Sequence, residues 1–176
     1  NVRGIVPALL GPASWTTGLP EWMPDVVAGA KSVVLFVLDG LGWDQLHEHR
    51  AILPTLSAMS GRSIHTVAPT TTATALSSIT TGLTPAEHGL IGYRMVLGGE
   101  IVNLLRWSVG DQAVRRSHPP RDVQPFDPFL GHTVPVVSPT ELQGSAFSEA
   151  HLRGCDAVGW RAASSIAVEA RRQVEA

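Results

Sequence analysis

The stretch APTTTATALSSITTGLTPAEHG, from Ala68 to Gly89, decides the fold, because it shows a helix together with its ends. Eight hydroxyl side chains lie between Thr70 and Thr81, although serine and threonine are mediocre helix formers. The apolar side chains nevertheless recur at spacings that suit one face of a short helix. These apolar residues are Ala73, Ala75, Leu76, Ile79 and Leu83. The stretch therefore predicts a short, hydroxyl-rich helix that is ended by Gly82.

The hydroxyls at the start of this helix have two interpretations. Thr70, Thr71 and Thr72 lie where free backbone N–H groups favour negative charge, and a threonine becomes a useful nucleophile when a metal or a base removes its proton. In the alternative, one threonine is an ordinary N-cap, and the small hydroxyls pack closely against a sheet. Threonine caps are common, so the stretch taken alone favours the cap.

A second candidate motif, VVLFVLDGLGWD, precedes the helix. Val33 to Leu38 form an unbroken apolar run, which predicts a central parallel strand buried on both faces. Asp39 then lies at the carboxyl end of that strand, where α/β proteins bind ligands, and its carboxylate is suited to a divalent metal. Capping of the next helix, or a simple turn, is the alternative for Asp39. A dinucleotide site is disfavoured, because Gln45 stands where the glycine fingerprint needs its third glycine.

The remaining segments place these motifs in one fold. Residues 1–30 predict an irregular lead-in that packs Trp15 and Trp22 on the domain, and residues 31–176 form that domain. Further strands are predicted over 62–69, on both sides of the turn 97–100, and over 132–137. Helical pieces are predicted over 43–50 and 53–60, with a last helix over 162–174. The alternation predicts an α/β fold with a mostly parallel sheet between helices.

Composition limits the classes of function. The chain has 176 residues, 44% of them hydrophobic, and a net charge of −2, which gives no general attraction to nucleic-acid polymers or anionic membranes. The single Cys155 excludes an internal disulfide framework and a cysteine-based zinc cluster. No apolar run approaches the ~20 residues of a membrane span, and no signal peptide is recognised, so a cytoplasmic location is expected. The chain begins at Asn1 and ends in a helix without a stop signal, which predicts a fragment of a longer protein.

The two motifs together resemble the alkaline phosphatase superfamily, in its nucleotide pyrophosphatase/phosphodiesterase branch. That branch has a strand ending in Asp-Gly, a Pro-x-x-Thr element that opens a helix, and a Thr-Gly-Leu-x-Pro-x-x-His-Gly segment. Here the last segment runs from Thr81 to Gly89. The order and spacing agree over about two-thirds of the chain. The resemblance implies an alkaline-phosphatase-like fold that is incomplete here, because the ligand-rich carboxyl-terminal half of the family would lie beyond Ala176.

The resemblance also implies roles for individual residues. Asp39 matches the first metal-binding aspartate, and Thr72 matches the nucleophile, which also binds metal; its neighbour Thr71 is the alternative. His88 matches a structural histidine. Tyr93 stands where nucleotide-cleaving members carry an asparagine that hydrogen-bonds the substrate phosphate, and its hydroxyl is expected to take that role from further out.

The implied activity is hydrolysis of phosphodiester or pyrophosphate bonds through a phospho-threonine intermediate. Two divalent cations would serve as cofactors, zinc first and manganese or magnesium as alternatives, and the substrate would be a small phosphate ester. Another phosphoryl or phosphonate hydrolase of the superfamily, such as a phosphomonoesterase, is the first alternative. A catalytically inactive α/β fragment is the second, and the piece alone is expected to be inactive.

Overall fold

The computed structural model describes residues 1–11 and 19–176, so the predicted packing of Trp15 lies outside the described residues. The α-helices are α1 (Ile5–Leu10), α2 (Trp43–Glu48), α3 (Pro54–Ser57), α4 (Thr72–Thr81), α5 (Pro85–His88), α6 (Pro120–Val123), α7 (Ala146–Leu152) and α8 (Ile166–Glu175). The strands are β1 (Arg94–Leu97), β2 (Glu100–Asn103), β3 (Ser108–Val109), β4 (Gln112–Ala113), β5 (Pro135–Pro139) and β6 (Asp156–Trp160). Short 3-10 turns join several of them, including Val2–Gly4 and Pro128–Gly131.

The hydroxyl-rich helix α4 forms as the sequence predicts. Thr71 is its N-cap, and Gly82 ends it in the left-handed region with φ of 76°. Glycine is required at that end for two reasons, because other residues avoid positive φ and because a Cβ there would lie 2.5 Å from Cγ of Pro7. The local capping chemistry therefore fixes both ends of the helix.

Helix α4 lies between two groups of buried apolar side chains. Ala73, in its first turn, belongs to the larger cluster, and Ile79, in its last turn, belongs to the smaller one. The larger cluster also contains Leu90, Val102, Leu104, Trp107, Val114, Ala146, Phe147 and Ala150. The helix packs on α1, α5, α7 and the two 3-10 turns Val2–Gly4 and Pro128–Gly131. Its small side chains therefore allow close packing against other helical elements, and Ala73 also shares its cluster with Val102 of β2.

The larger sheet is antiparallel. Strands β1 to β4 are neighbours in chain order, and the predicted hairpin β1–β2 pairs Leu97 with Glu100 and Arg94 with Asn103. Gly98 and Gly99 form its turn with φ of 57° and 87°, as a two-residue hairpin turn with both central residues at positive φ requires. The Gly-Gly pair thus sets the register of the hairpin.

The parallel pairing is confined to β5 and β6. These two strands pair in parallel, from Pro135 with Asp156 to Pro139 with Trp160, and α7 lies between them in the chain. Strand β5 confirms the strand predicted over 132–137, while β6 was not predicted. The fold is mixed α/β, but a mostly parallel, alkaline-phosphatase-like sheet is not confirmed, since the four-stranded sheet is antiparallel.

The prediction of a buried central strand at Val33 to Leu38 is wrong for this structure. Each of these six side chains is exposed by between 40% and 58%, and the segment is assigned to no strand. Residues 62–69 likewise form no strand, although Val67 is buried. An unbroken apolar run shows that a segment tolerates burial on both faces, but a strand also needs a neighbour for its N–H and C=O groups. None of the described strands pairs with residues 33–38.

The lead-in is helical over part of its length. The turn Val2–Gly4 and α1 pack on α4, and Val6 is buried in the smaller cluster. The Trp22 ring lies 2.9 Å from the position of a Cβ on Gly4, which is itself part of the lead-in, so the packing of Trp22 on the domain stays a prediction. Within the described ranges, no helix combines the length and the apolar character that crossing a bilayer requires.

Candidate active site at the start of helix α4

The start of α4 separates the roles of Thr71 and Thr72. The Thr71 hydroxyl oxygen accepts from the Thr74 N–H at 3.4 Å and lies 2.9 Å from the Thr74 hydroxyl. Thr72 is the first helical residue and is partly exposed, and its hydroxyl makes no hydrogen bond to another described residue. Thr71 is therefore the cap, while Thr72 offers an uncommitted hydroxyl at the positive end of the helix.

His88 has a structural role, as the sequence predicts. Its ring is buried, Nδ1 accepts from the Leu90 N–H at 3.1 Å, and Nε2 lies 2.8 Å from Oγ of Ser78. Because Nδ1 is an acceptor, the ring proton is on Nε2 and is donated to Ser78. Burial lowers the pKa of His88, which keeps the ring neutral. This bond joins α4 to the end of α5.

Replacing Ser78 by alanine is expected to lower the free energy of unfolding by about 1–3 kcal/mol, because it leaves the buried Nε2–H of His88 without an acceptor. Ser77 is the matched control. It is equally buried on the same helix, but its hydroxyl has no hydrogen-bond partner among the described residues. Ser77→Ala should be neutral or slightly stabilising, since alanine also favours the helix. Urea unfolding of both variants measures the difference, and equal losses would contradict the assigned bond.

Asp39 lies in the exposed segment that precedes α2. It occupies a turn in which the Leu41 N–H donates to the Leu38 carbonyl at 3.3 Å, and Gly40 has φ of 82°. Its carboxylate is exposed and bonds no other described side chain or backbone group. The capping alternative is wrong, because the N-cap of α2 is Gly42 and α2 has no side-chain cap. No hydrogen bond joins Asp39 to Thr72, so their common site stays a prediction.

Tyr93 lies immediately before β1 and is held by the hairpin. Its backbone carbonyl accepts from the Leu104 N–H at 3.0 Å, and its hydroxyl accepts from the Asn103 side-chain amide at 2.8 Å. The guanidinium carbon of Arg94 lies 5.9 Å from the centre of the Tyr93 ring, a distance at which a cation and an aromatic face attract. The hydroxyl is 10 residues from its partner in sequence, so only the hairpin brings them together.

One buried cluster connects the helix start with the hairpin. Ala73, next to Thr72, packs in the same cluster as Leu104, whose amide holds the Tyr93 carbonyl. The residue next to Thr72 and the residue whose N–H bonds Tyr93 therefore pack in one cluster. A cavity of about 280 Å³ lies elsewhere, between β5, α7 and β6, and neither Thr72 nor Tyr93 lines it.

The donor set for a metal is small in the described part of the chain. No group of three or more histidine, cysteine, aspartate or glutamate side chains is close enough there to hold an ion. Zinc in proteins almost always takes four ligands, so Asp39 and Thr72 do not complete a coordination sphere by themselves. The described residues thus supply candidate oxygen donors rather than a finished metal centre.

Sequence reasoning missed Asn103. A strand that ends in asparagine and is followed by a turn is a weak signal, because asparagine is common wherever its side chain binds nearby backbone N–H groups. The contact with Tyr93 depends on the pairing of Arg94 with Asn103. The predicted hairpin brings Tyr93 and Asn103 together only in the register that pairs Arg94 with Asn103, and the sequences of the two strands alone do not show that register.

A threonine hydroxyl that bonds no other described residue at a helix start is compatible with the class of hydrolases that act through an alcohol. The comparison with protein families agrees with this class: the family model described as type I phosphodiesterase / nucleotide pyrophosphatase matches residues 33–169. The chain belongs to this family, which is part of the alkaline phosphatase superfamily. The searches of curated proteins and of solved structures gave no match. The family description points to hydrolysis of phosphodiester and pyrophosphate bonds.

Proposed function

We propose that this chain carries the nucleophile of a metal-dependent hydrolase of phosphodiester or pyrophosphate bonds, with Thr72 forming a phospho-threonine intermediate. The observation that supports this proposal best is that Thr71 and Thr72 have different roles at the start of α4. Because Thr71 caps the helix, the Thr72 hydroxyl is left unbonded among the described residues at the helix end. A helix end of this kind favours phosphate groups.

The proposed reaction assigns the attack on phosphorus to Thr72. Its hydroxyl gives its proton to water, and Oγ attacks phosphorus as the bond from phosphorus to the leaving oxygen breaks. The leaving oxygen departs as an alcohol, or as a phosphate when the substrate is a pyrophosphate. Water then attacks phosphorus of the phospho-threonine, the bond from phosphorus to Oγ breaks, a phosphate monoester leaves, and Oγ regains a proton. The helix end stabilises the negative charge that develops on the phosphoryl oxygens.

Two divalent cations, zinc by preference, remain part of the proposal. Asp39 and Thr72 are the donors assigned to them, since carboxylate and alkoxide oxygens bind such ions. When bound, the ions would lower the pKa of a coordinated hydroxyl and neutralise phosphoryl charge. Further donors, from protein or water, have to complete the coordination sphere, so no step is assigned to the ions here.

The test is a substrate panel on the full-length protein loaded with metal. We expect an aryl phosphodiester and a dinucleotide pyrophosphate to be hydrolysed faster than an aryl phosphomonoester, and we expect a chelator to remove the activity until zinc is returned. Asp39→Asn should bind less metal after dialysis, measured by elemental analysis. Asp44→Asn, an exposed change in the next helix, is the matched control. A preference for the monoester would favour the phosphomonoesterase alternative, and no hydrolysis of any ester would favour an inactive protein.

A further inference from the structure

The Asn103 side chain has a fixed orientation. Its Oδ1 accepts from the backbone N–H groups of Leu105 and Arg106, each at 3.1 Å. Exchange of the amide oxygen and nitrogen would point an NH₂ group at two N–H donors, which leaves all of them without acceptors. Oδ1 therefore faces the turn after β2, and Nδ2 faces Tyr93.

This orientation determines whether the Tyr93 hydroxyl donates or accepts the hydrogen bond with Asn103. Nδ2 of Asn103 is only a donor, so at 2.8 Å it must donate to the Tyr93 oxygen. The phenolic proton is then not used in that bond and points away from Asn103. Tyr93 is 44% exposed, and its hydroxyl has no other hydrogen-bond partner among the described residues. The Tyr93 hydroxyl can therefore donate a hydrogen bond to a ligand at the surface of the hairpin.

The charge next to this donor favours an anion. The Arg94 guanidinium lies over the Tyr93 ring and forms no ion pair with a described residue. A non-bridging phosphoryl oxygen is an acceptor that carries negative charge, so it suits both the hydroxyl proton and the nearby cation. Water or a neutral acceptor would use only the first of these.

We propose that Asn103 is a positioning residue, which fixes the Tyr93 hydroxyl as a hydrogen-bond donor to a non-bridging phosphoryl oxygen of the substrate. This inference rests on the proposed phosphoester hydrolysis for its substrate, while the direction of the Asn103–Tyr93 bond rests on the structure alone.

The direction of the bond is tested by Raman spectroscopy of the chain. Tyr93 is its only tyrosine, so the tyrosine Fermi doublet reports this hydroxyl alone, with a high intensity ratio for an acceptor and a low ratio for a donor. Asn103→Asp keeps the acceptor for the two backbone N–H groups but places a carboxylate oxygen against the hydroxyl. The ratio should fall in this variant, because tyrosine must then donate to the carboxylate. Inorganic phosphate should lower the ratio of the unmodified chain.

The role in the reaction is tested by a double-mutant cycle with an aryl phosphodiester. Tyr93→Phe and Asn103→Ala should each lower kcat/KM about tenfold to a hundredfold, as expected for one hydrogen bond to a charged group. If Asn103 acts through Tyr93, Asn103→Ala should cost little more in a chain that already carries Tyr93→Phe. Additive losses, or a doublet that neither Asn103→Asp nor phosphate changes, would overturn the proposal. Absence of hydrolysis in the unmodified full-length protein would instead refute the proposed function, and the spectra would still decide the direction of the bond.

Discussion

Thr72→Ala should abolish hydrolysis of an aryl phosphodiester, with kcat lower by about a thousandfold or more, as is typical for loss of a nucleophile. The loss should come without unfolding, since the Thr72 hydroxyl bonds no other described residue and alanine favours a helix. Steady-state kinetics on the full-length protein loaded with metal measures the change. Thr72→Ser, which keeps a hydroxyl, should retain part of the activity.

The neighbouring residue provides the matched control for this prediction. Thr71→Ala removes the cap of α4 and should lower the free energy of unfolding by about 1 kcal/mol, while the folded protein keeps its turnover. Rapid acid quenching followed by mass spectrometry should find phosphate on Thr72. Unchanged turnover in Thr72→Ala would remove the assignment, and loss of turnover in Thr71→Ala alone would move it to Thr71.

The parts of the fold that were predicted correctly are those that local chemistry determines. Helix α4 has a threonine cap at Thr71, a glycine at Gly82 and an apolar stripe between them. The hairpin has Gly98 and Gly99 at the positive φ that its turn requires. Each of these signals acts within a few residues, so the local sequence is sufficient to predict the ends of the helix and the hairpin turn.

The parts that were predicted wrongly depend on a partner elsewhere in the chain. Val33 to Leu38 have the composition of a buried strand, yet a strand exists only where another strand accepts its hydrogen bonds. The structure pairs β5 with β6 instead. Sequence composition predicts tolerance of burial, but it does not show which segments will meet.

The candidate site divides in the same way. Capping rules and family resemblance place Thr72 at a helix start, because that position depends on adjacent residues. The Asn103–Tyr93 bond depends on the strand register, and the common site of Asp39 and Thr72 depends on the path of an exposed segment. The first of these two long-range features is present in the structure, while the second stays a prediction.

The second large effect is expected in the pH dependence of stability, and it comes from His151 in α7. This ring is buried and stacked on Phe147, with 4.1 Å between ring centres, and its Nδ1–H donates to the Phe147 carbonyl at 2.6 Å. Burial lowers the pKa of His151 from 6.5 to about 4, although the bond to the carbonyl opposes this shift. Between pH 6.5 and about 4, His151 is therefore mostly neutral in the folded state and mostly protonated in the unfolded state.

The sign of the effect follows from linkage between protonation and folding. Above pH 6.5 the ring is neutral in both states, and its contribution to stability is complete. As the pH falls from 6.5 towards about 4, the unfolded state gains the proton first, so the free energy of unfolding decreases. The total loss should be about 3 kcal/mol. His88, whose pKa burial also lowers, should add a loss of the same sign.

Urea unfolding across this pH range measures the loss, and His151→Gln is the informative variant, because its side chain does not titrate. Carboxylates also titrate in acid, so the test compares pH dependence between the unmodified chain and the variant rather than either curve alone. The variant should lose less stability on acidification, by about the 3 kcal/mol that the histidine contributes. If the variant does not fold, NMR titration of the histidine rings in the unmodified chain gives the same answer, since one ring should titrate near 4. Identical pH dependence in the two chains, or seven histidines that all titrate near 6.5, would show that the His151 pocket does not exclude the charged ring.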